Sequence, residues 1–157
     1  MQITKLGHCC LLIEHEGVRL LTDPGSFTAQ EQQKVSGLHG ILITHEHADH
    51  LHVESLKALM AGNPTAVVVG NSAVAKLVGE QVADAAVTVV GDGQSTDVSG
   101  VLIEGFGKEH ALVYPPDTGL VENTGYFVAE NFISPATVFT TPASRSTCWR
   151  SRSRARG

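Results

Sequence analysis

The sequence predicts a mixed α/β fold in a single domain. Short apolar runs rich in β-branched residues recur along the chain, as expected of buried strands. Two of these runs, at residues 40–44 and 65–69, are separated by a segment with helical patterning. The 157-residue chain is also long enough to bury a core of its own. Strands and helices therefore alternate within one compact unit.

The N-terminal region predicts a meander of short strands. Glu16-Gly17 favours a turn between strands at residues 10–15 and 18–21. Cys9 and Cys10 lie in a strand-like run and are interpreted as small buried or half-buried residues, with a metal-ligating thiolate from either as the alternative. The chain has three cysteines in all, which do not make a disulfide framework.

Two helices are predicted in the middle of the chain. The first covers residues 49–60 and places Asp49 in its opening turn, where the helix dipole favours a negative charge. The second covers residues 71–79, with Asn71 or Ser72 as its N-cap. Further short strands are predicted at residues 86–90, 101–106 and 124–129.

The most informative segment is Thr44-His45-Glu46-His47-Ala48-Asp49-His50, which follows an apolar run at residues 40–43. Three imidazoles and a carboxylate fall within six positions. Imidazole is the commonest protein ligand of zinc-like ions, and a carboxylate suits the harder metals. The alternative is a polar loop with surplus histidines. Metal ligation explains the composition and the spacing together, so we interpret the segment as a metal site at the end of a buried strand.

The spacing of these four residues has a geometric reason. His45 and His47 are two positions apart, so their side chains would diverge in an extended strand. A turn that begins at His45 would bring both rings onto one ion. Asp49 and His50 are neighbours and point in different directions, which suits two ions better than one.

The complete His-x-His-x-Asp-His pattern resembles the metallo-β-lactamase superfamily. Residues 6–14 and 21–25 are similar to the first hairpin of the branch that includes ascorbate-phosphate lactonase-like hydrolases. The resemblance covers about residues 1–135. It implies an αββα sandwich, two sheets with helices outside, that is incomplete at the C-terminus.

The resemblance also implies a set of metal ligands. His45 and His47 would bind a first metal, joined by His110 from a later loop, with one position left open for water. For His110 the alternative is a solvated loop residue. Asp49 and His50 would bind a second metal.

Three further roles follow from the same resemblance. Asp49 would orient the attacking water and help as a base, which makes it the catalytic residue. Asp23 would support the metal loop, since such partners orient ligands, and His8 would line the site. The remaining histidines are expected at the surface: His15, His39 and His52.

The activity that this implies is metal-dependent hydrolysis of an ester, lactone or phosphoester by a metal-activated hydroxide. The cofactor is expected to be zinc, as one or two ions, and the same ligands accept manganese. Two alternatives stay open: a non-catalytic metal-binding protein, and a nucleic-acid-processing phosphodiesterase of the same superfamily. The acidic body argues against strong nucleic-acid binding, because duplex affinity comes mainly from neutralising phosphates.

The last 22 residues break the pattern. All 16 acidic residues precede position 136 and five of the 11 basic residues follow it, so the net charge changes from −10 to +5. A disordered basic tail that binds an anionic partner is one explanation. The sequence favours the other, a shifted reading frame after Pro135. With plausible codons, one restored nucleotide allows the chain to read Pro-Gly-Asp-Ser, where relatives carry an Asp that bridges the metals. We expect residues 1–135 to form a partial domain, residues 136–157 to form a disordered Arg/Ser-rich tail, and hydrolysis to be impaired.

Composition adds expectations about partners and location. No apolar run reaches the ~18–20 residues that a bilayer requires. No secretory signal is apparent, so a cytoplasmic location is expected. The expected partner is a small-molecule substrate, with no nucleic acid and no membrane. An unpaired strand edge would also allow homo-oligomers.

Overall fold

Two β-sheets and three α-helices make up the described part of a computed structural model, which covers residues 1–82, 85–110 and 121–133. The first sheet has six strands in sequential order: β1 (Gln2–Gly7), β2 (Cys10–His15), β3 (Val18–Thr22), β4 (Gly40–Ile43), β5 (Val67–Gly70) and β6 (Val87–Val89). The second sheet has the order β10-β9-β8-β7, with β7 at Ser95–Val98, β8 at Val101–Phe106, β9 at Gly125–Val128 and β10 at Asn131–Ile133. The helices are α1 (Ala29–Gln32), preceded by a 3-10 turn at Ser26–Thr28, α2 (Val53–Gly62) and α3 (Ser72–Gln81).

The direction of the strands changes within the first sheet. β1, β2 and β3 are antiparallel neighbours, whereas β3 to β6 run parallel. The predicted turn at Glu16-Gly17 is confirmed, since His15 pairs with Val18 across it and both turn residues have positive φ. Parallel strands end at a common edge, so the loops that follow β3, β4 and β5 meet there.

Alternating side chains place two hydrophobic cores on the two faces of the first sheet. In β4, Ile41 and Ile43 face one core and Leu42 faces the other; all three are fully buried. The first core packs the sheet against α2 and α3. The second lies between the two sheets and includes Ile103 and Tyr126 of the second sheet. The described residues therefore form one helix layer and two sheet layers of the predicted αββα sandwich.

The predicted start of the first helix is wrong. α2 begins at Val53, not at Asp49. Residues 48–50 form a turn in which the amides of His50 and Leu51 both donate to the carbonyl of His47. The amide of His52 donates to the carbonyl of Pro24, so the chain is bonded across to another loop before the helix begins. Asp49 therefore lies outside the helix, and the dipole argument for its position does not apply.

The second helix is predicted closely. The side chain of Asn71 accepts a hydrogen bond from the amide of Val74 at 3.0 Å, which confirms Asn71 as the N-cap. The helix runs to Gln81, past Gly79. The sequence did not predict β7, β10 or the short α1.

Two other predictions meet the limits of the described chain. No helix within residues 1–82, 85–110 and 121–133 is long and apolar enough to cross a membrane. The proposed tail, residues 136–157, lies outside the described residues, so the division of the chain at Pro135 stays a prediction.

Candidate metal centre

Polar side chains gather at the edge of the first sheet where its parallel strands end. Asp23 follows β3, the segment 44–50 follows β4, and Asn71 follows β5. The hairpin loop His8-Cys9, between β1 and β2, lies at the same edge, because β2 begins beside the end of β3. Crevices beyond the carboxyl ends of parallel strands are the usual ligand sites of such sheets.

Three imidazoles converge at the first of two clusters. His45 Nε2 lies 3.0 Å from His47 Nδ1. The ring of His110 lies 4.8 Å from that of His45 and 5.0 Å from that of His47, centroid to centroid. One nitrogen from each ring can be chosen so that all three lie within 4.8 Å of one another. Two nitrogens bound to one tetrahedral zinc are about 3.3 Å apart, so the donor set fits a metal ion.

The orientation of His45 follows from its bond to Thr44. The Thr44 hydroxyl donates to the carboxylate of Asp23, so its oxygen accepts from His45 Nδ1 at 3.0 Å. That assigns the Nε2 lone pair of His45 to the side facing His47. Burial, reinforced by the neighbouring His50, His47 and His110, lowers the pKa of His45 to about 3. The ring is therefore neutral at physiological pH, which is the form that binds metals.

A second cluster lies beside the first, around Asp49. His8 Nε2 is 2.8 Å from Asp49 Oδ2, and His50 Nε2 is 3.5 Å from the same oxygen. One ligand atom each from His8, Cys9 and His50 can be chosen so that all lie within 4.8 Å of one another. Burial alone would raise the pKa of Asp49, but His50, a backbone hydrogen bond and His8 outweigh it and lower that pKa. Asp49 is thus a carboxylate at neutral pH.

The carboxyl group of Asp23 connects the two clusters, through Thr44 to His45 and directly to His50. It is fully buried and accepts hydrogen bonds from the Thr44 amide at 2.8 Å and from the Thr44 hydroxyl at 3.1 Å. Its other oxygen lies 3.0 Å from His50 Nδ1. This contact leaves Nε2 as the nitrogen of His50 that can bind a metal. Burial raises the pKa of Asp23, opposed by His50 and Thr44.

Gly25 allows the loop after β3 to pass directly against the turn that carries Asp49. A Cβ at this position would lie 1.7 Å from the carbonyl oxygen of Asp49 and 2.7 Å from the amide nitrogen of His50. A hydrogen bond holds the two segments together next to this contact, since the Ser26 amide donates to the Ala48 carbonyl at 2.8 Å. Only glycine has the space for this approach.

His110 is positioned by contacts from the second half of the chain. Its amide donates to the carbonyl of Val121 at 2.9 Å, and Glu109 and Glu122 form an isolated antiparallel bridge beside it. The Glu122 carboxylate accepts from the amide of Ala73 at 3.1 Å and from the hydroxyl of Ser72. The loop that carries His110 is therefore attached to the first turn of α3.

The N-cap residue of α3 strengthens this attachment. Asn71 Nδ2 donates to the carbonyls of both Thr44 and Glu122, at 3.0 and 3.1 Å. The amide of Thr124 also donates to the Thr44 carbonyl at 3.0 Å. The Thr44 carbonyl and the Asn71 side chain therefore connect the residue before His45 to Glu122 and Thr124.

Comparison with known proteins identifies the family. The family described as "Beta-lactamase superfamily domain" matches residues 2–134. The chain belongs to this superfamily. The predicted metallo-β-lactamase resemblance is confirmed by this match and by structures that share the metallo-β-lactamase fold.

Curated relatives of this superfamily domain are longer than the chain. The protein Rv0786c of Mycobacterium tuberculosis is 34% identical over 131 residues, which are 83% of this chain and 58% of that protein. A UPF0173 protein of Pyrococcus furiosus is 27% identical over 140 residues, which are 87% of this chain and 63% of that protein. The chain thus spans about six-tenths of the length of these relatives.

Solved structures similar to the superfamily domain include enzymes of different names. A protein of Parabacteroides distasonis, assigned by name to the metal-dependent hydrolases, matches with a TM-score of 0.64 and 24% identity, over 83% of this chain and 56% of that one. The diiron β-hydroxylase CmlA of Streptomyces venezuelae matches with a TM-score of 0.63 and 16% identity, over 80% of this chain and 27% of that one. These likenesses show the fold, and the predicted fold class is confirmed.

The structure of this superfamily domain also places the other predicted residues. His8 and Asp23 lie at the centre, in contact with Asp49 and His50 respectively. The three histidines that we expected at the surface, His15, His39 and His52, are half-buried. His39 Nδ1 accepts a hydrogen bond from the Arg19 amide at 3.1 Å, and the ring of His52 is hydrogen-bonded to Ser55 Oγ at 2.8 Å. His15 is the last residue of β2.

Sequence reasoning missed two residues of the centre of this superfamily domain. Thr44 connects the carboxylate of Asp23 to the ring of His45, and its place between the buried strand and the histidines was the available signal. Phe27 is 71% exposed, and its ring lies edge-on to that of His8 at 5.2 Å. An exposed aromatic residue in the loop after β3 carries no pattern that would have identified it.

Proposed function

We propose that this chain is a metal-dependent hydrolase that acts on an ester, lactone or phosphoester of a small molecule. The observation that carries the proposal is the convergence of His45, His47 and His110 beside the carboxylate of Asp49. Three imidazoles with a carboxylate alongside are the donor arrangement of hydrolytic metal centres. Because the chain spans only part of its relatives, the activity of the whole protein is part of this proposal.

The residues that would hold the metal follow from the two clusters. His45, His47 and His110 would bind a first ion, and Asp49 and His50 would contribute to a second. When bound, such an ion lowers the pKa of water and polarises the bond under attack. We propose zinc, with manganese as the alternative, because imidazole and carboxylate accept both. CmlA is named as a diiron enzyme, so iron is a third metal to be tested.

Asp49 is the residue we propose to move the proton. Its side chain is 34% exposed, so its carboxylate can meet a water molecule or a substrate. His8 and His50 both lie within 3.5 Å of Oδ2, which holds that oxygen in a fixed direction. A carboxylate that is oriented and ionised can accept a proton from water.

Asp23 and Thr44 would position the metal-binding rings. Asp23 contacts His50 Nδ1 and Thr44 contacts His45 Nδ1, so each ring presents Nε2 to the centre. Removing hydrogen-bond partners that orient metal ligands in this way typically lowers metal affinity by about 10- to 100-fold.

The test combines metal content with turnover. The full chain would be stripped with a chelator, reloaded with zinc, manganese or iron(II), and assayed with p-nitrophenyl acetate, an aromatic lactone and bis-p-nitrophenyl phosphate. We expect low but metal-dependent turnover of at least one substrate. The variant His110→Ala should lose an ion and the turnover, whereas His15→Ala, altered at the far end of β2, should keep both.

Two results would contradict the proposal. Turnover that survives both the chelator and His110→Ala would mean that the reaction does not use this centre. Metal bound at His45, His47 and His110 without turnover of any of the three substrates would indicate a non-catalytic metal-binding protein.

A further inference from the structure

The hairpin loop between β1 and β2 brings two potential metal ligands to the second cluster. Gly7 pairs with Cys10, so His8 and Cys9 are the two loop residues. His8 Nε2 lies 2.8 Å from Asp49 Oδ2, across 41 residues of sequence. Ligand atoms of His8, Cys9 and His50 lie within 4.8 Å of one another. The loop therefore faces the carboxylate–imidazole pair that would contribute to the second ion.

The backbone of this loop is unusual for a histidine. His8 has φ of +43°, in the left-handed region. Glycine, asparagine and aspartate fill such hairpin positions most easily. A histidine there costs on the order of 1 kcal/mol, and strain of this kind collects at functional sites. The backbone at His8 is therefore strained, and an imidazole occupies the position in spite of that strain.

Two donor-to-donor distances in this cluster are close to those around a tetrahedral ion. Two ligand atoms bound to one zinc are about 3.3 Å apart. Asp49 Oδ2 lies 2.8 Å from His8 Nε2 and 3.5 Å from His50 Nε2, on either side of that value. Because Asp23 occupies Nδ1 of His50, the nitrogen that faces Asp49 is the one that can ligate.

The charge at this place also suits a cation. The carboxyl groups of the buried Asp23 and of Asp49 both lie close to the Cys9 thiol. His8 is 35% exposed and Asp49 34%, so an ion can reach the cluster from solvent. A divalent ion there would be attracted by the ionised carboxylate of Asp49.

We propose that His8 and Cys9 are ligands of the second metal ion, together with Asp49 and His50. The four donors are then one thiolate, two imidazoles and one carboxylate, all from residues 8–50. A thiolate is a soft ligand, so this site selects zinc over manganese. The inference rests on the proposed function for the metal cofactor and for Asp49 and His50 as ligands of a second ion, whereas the first ion depends on His45, His47 and His110.

The simpler alternative is that His8 only hydrogen-bonds Asp49 and that Cys9 packs against the loop. In that case removing His8 would loosen Asp49 but leave the number of bound ions unchanged. The variant His8→Gly separates the two, because glycine accepts positive φ without strain and should preserve or raise stability. A loss of metal in a variant that folds normally is then a loss of ligation.

The experiment counts ions and identifies the thiolate. The metal-free full chain would be titrated with zinc and followed by native mass spectrometry, and with Co²⁺ and followed by absorption. We expect two ions in the unaltered chain. His8→Gly and His8→Ala should bind the second ion at least about 10-fold more weakly, and His15→Ala should match the unaltered chain. A thiolate-to-cobalt charge-transfer band should be present in the unaltered chain and absent in Cys9→Ser.

Each contrary result has a separate meaning. Two ions held with unchanged affinity in His8→Gly would overturn the ligation by His8. A bound second Co²⁺ without a charge-transfer band would overturn the ligation by Cys9. A single ion that is lost in His110→Ala but kept in His8→Gly would overturn the second site and leave the proposed function standing.

Discussion

Substituting Gly25 by alanine should disrupt the metal centre through the backbone alone. The new Cβ would lie 1.7 Å from the Asp49 carbonyl oxygen and 2.1 Å from its carbon, whereas ordinary contacts begin at 3.4 Å. The Asp49 peptide would therefore have to retreat by about 1.7 Å. Overpacking typically costs about 1–3 kcal/mol, and we expect the upper end because the opposing atoms belong to the backbone. A shift of even ~1 Å in a catalytic group can lower a rate about 100-fold.

The matched control for this prediction is Gly79→Ala. Gly79 lies in α3, where a Cβ would meet nothing within 4 Å. Alanine there should stabilise the protein by about 0.5–1 kcal/mol, from helix propensity. Urea denaturation would give both free energies of unfolding, and zinc titration would give both affinities. An unchanged unfolding midpoint together with unchanged zinc binding in Gly25→Ala would refute the reasoning.

Three further predictions test the surroundings of the centre. Asp23→Asn should weaken the second ion by about 10- to 100-fold, because an amide has one acceptor oxygen and cannot accept from both the Thr44 amide and His50 Nδ1. Competition with a chromophoric chelator measures this affinity, and an unchanged affinity would contradict the prediction. Tyr126→Phe removes the 2.9 Å hydrogen bond from the Tyr126 hydroxyl to the Ile43 carbonyl. Because the carbonyl stays buried, the free energy of unfolding measured in urea should fall by about 1–3 kcal/mol. An unchanged free energy would mean that water replaces the bond. Burial raises the pKa of Cys10 to about 12, so the native thiol should resist iodoacetamide at pH 8 and react after denaturation; rapid native alkylation would show that the strand opens.

Local patterns predicted the parts of the fold whose signals are contained in short segments. The turn at Glu16-Gly17 and the N-cap at Asn71 were predicted correctly, because each depends on a few neighbouring residues. The start of α2 was not, because the helical pattern from Asp49 onward is overridden by the hydrogen bond from the His52 amide to the carbonyl of Pro24, a residue distant in sequence. β7 (Ser95–Val98) was missed because its four residues carry only a weak apolar signal.

The candidate centre divides in the same way. His45, His47, Asp49 and His50 are evident from spacing alone, since they stand within six positions. The contact between His8 and Asp49 depends on the register of β1 and β2 relative to the end of β4, which no local pattern encodes. The ligation of metal by any of these residues stays a prediction until an ion is measured.

The attachment of the His110 loop to α3 has a consequence for the order of folding. The bond between Asn71 and the Glu122 carbonyl spans 51 residues, and that between Tyr126 and the Ile43 carbonyl spans 83. Contacts of such long range form slowly, because the entropy of closing a large loop must be overcome first. On the ribosome, His45 and His47 would emerge and meet before His110 exists to join them. Tight capture of an ion by all three imidazoles should therefore coincide with the docking of the second sheet, and the rate of that capture would report how fast the domain closes.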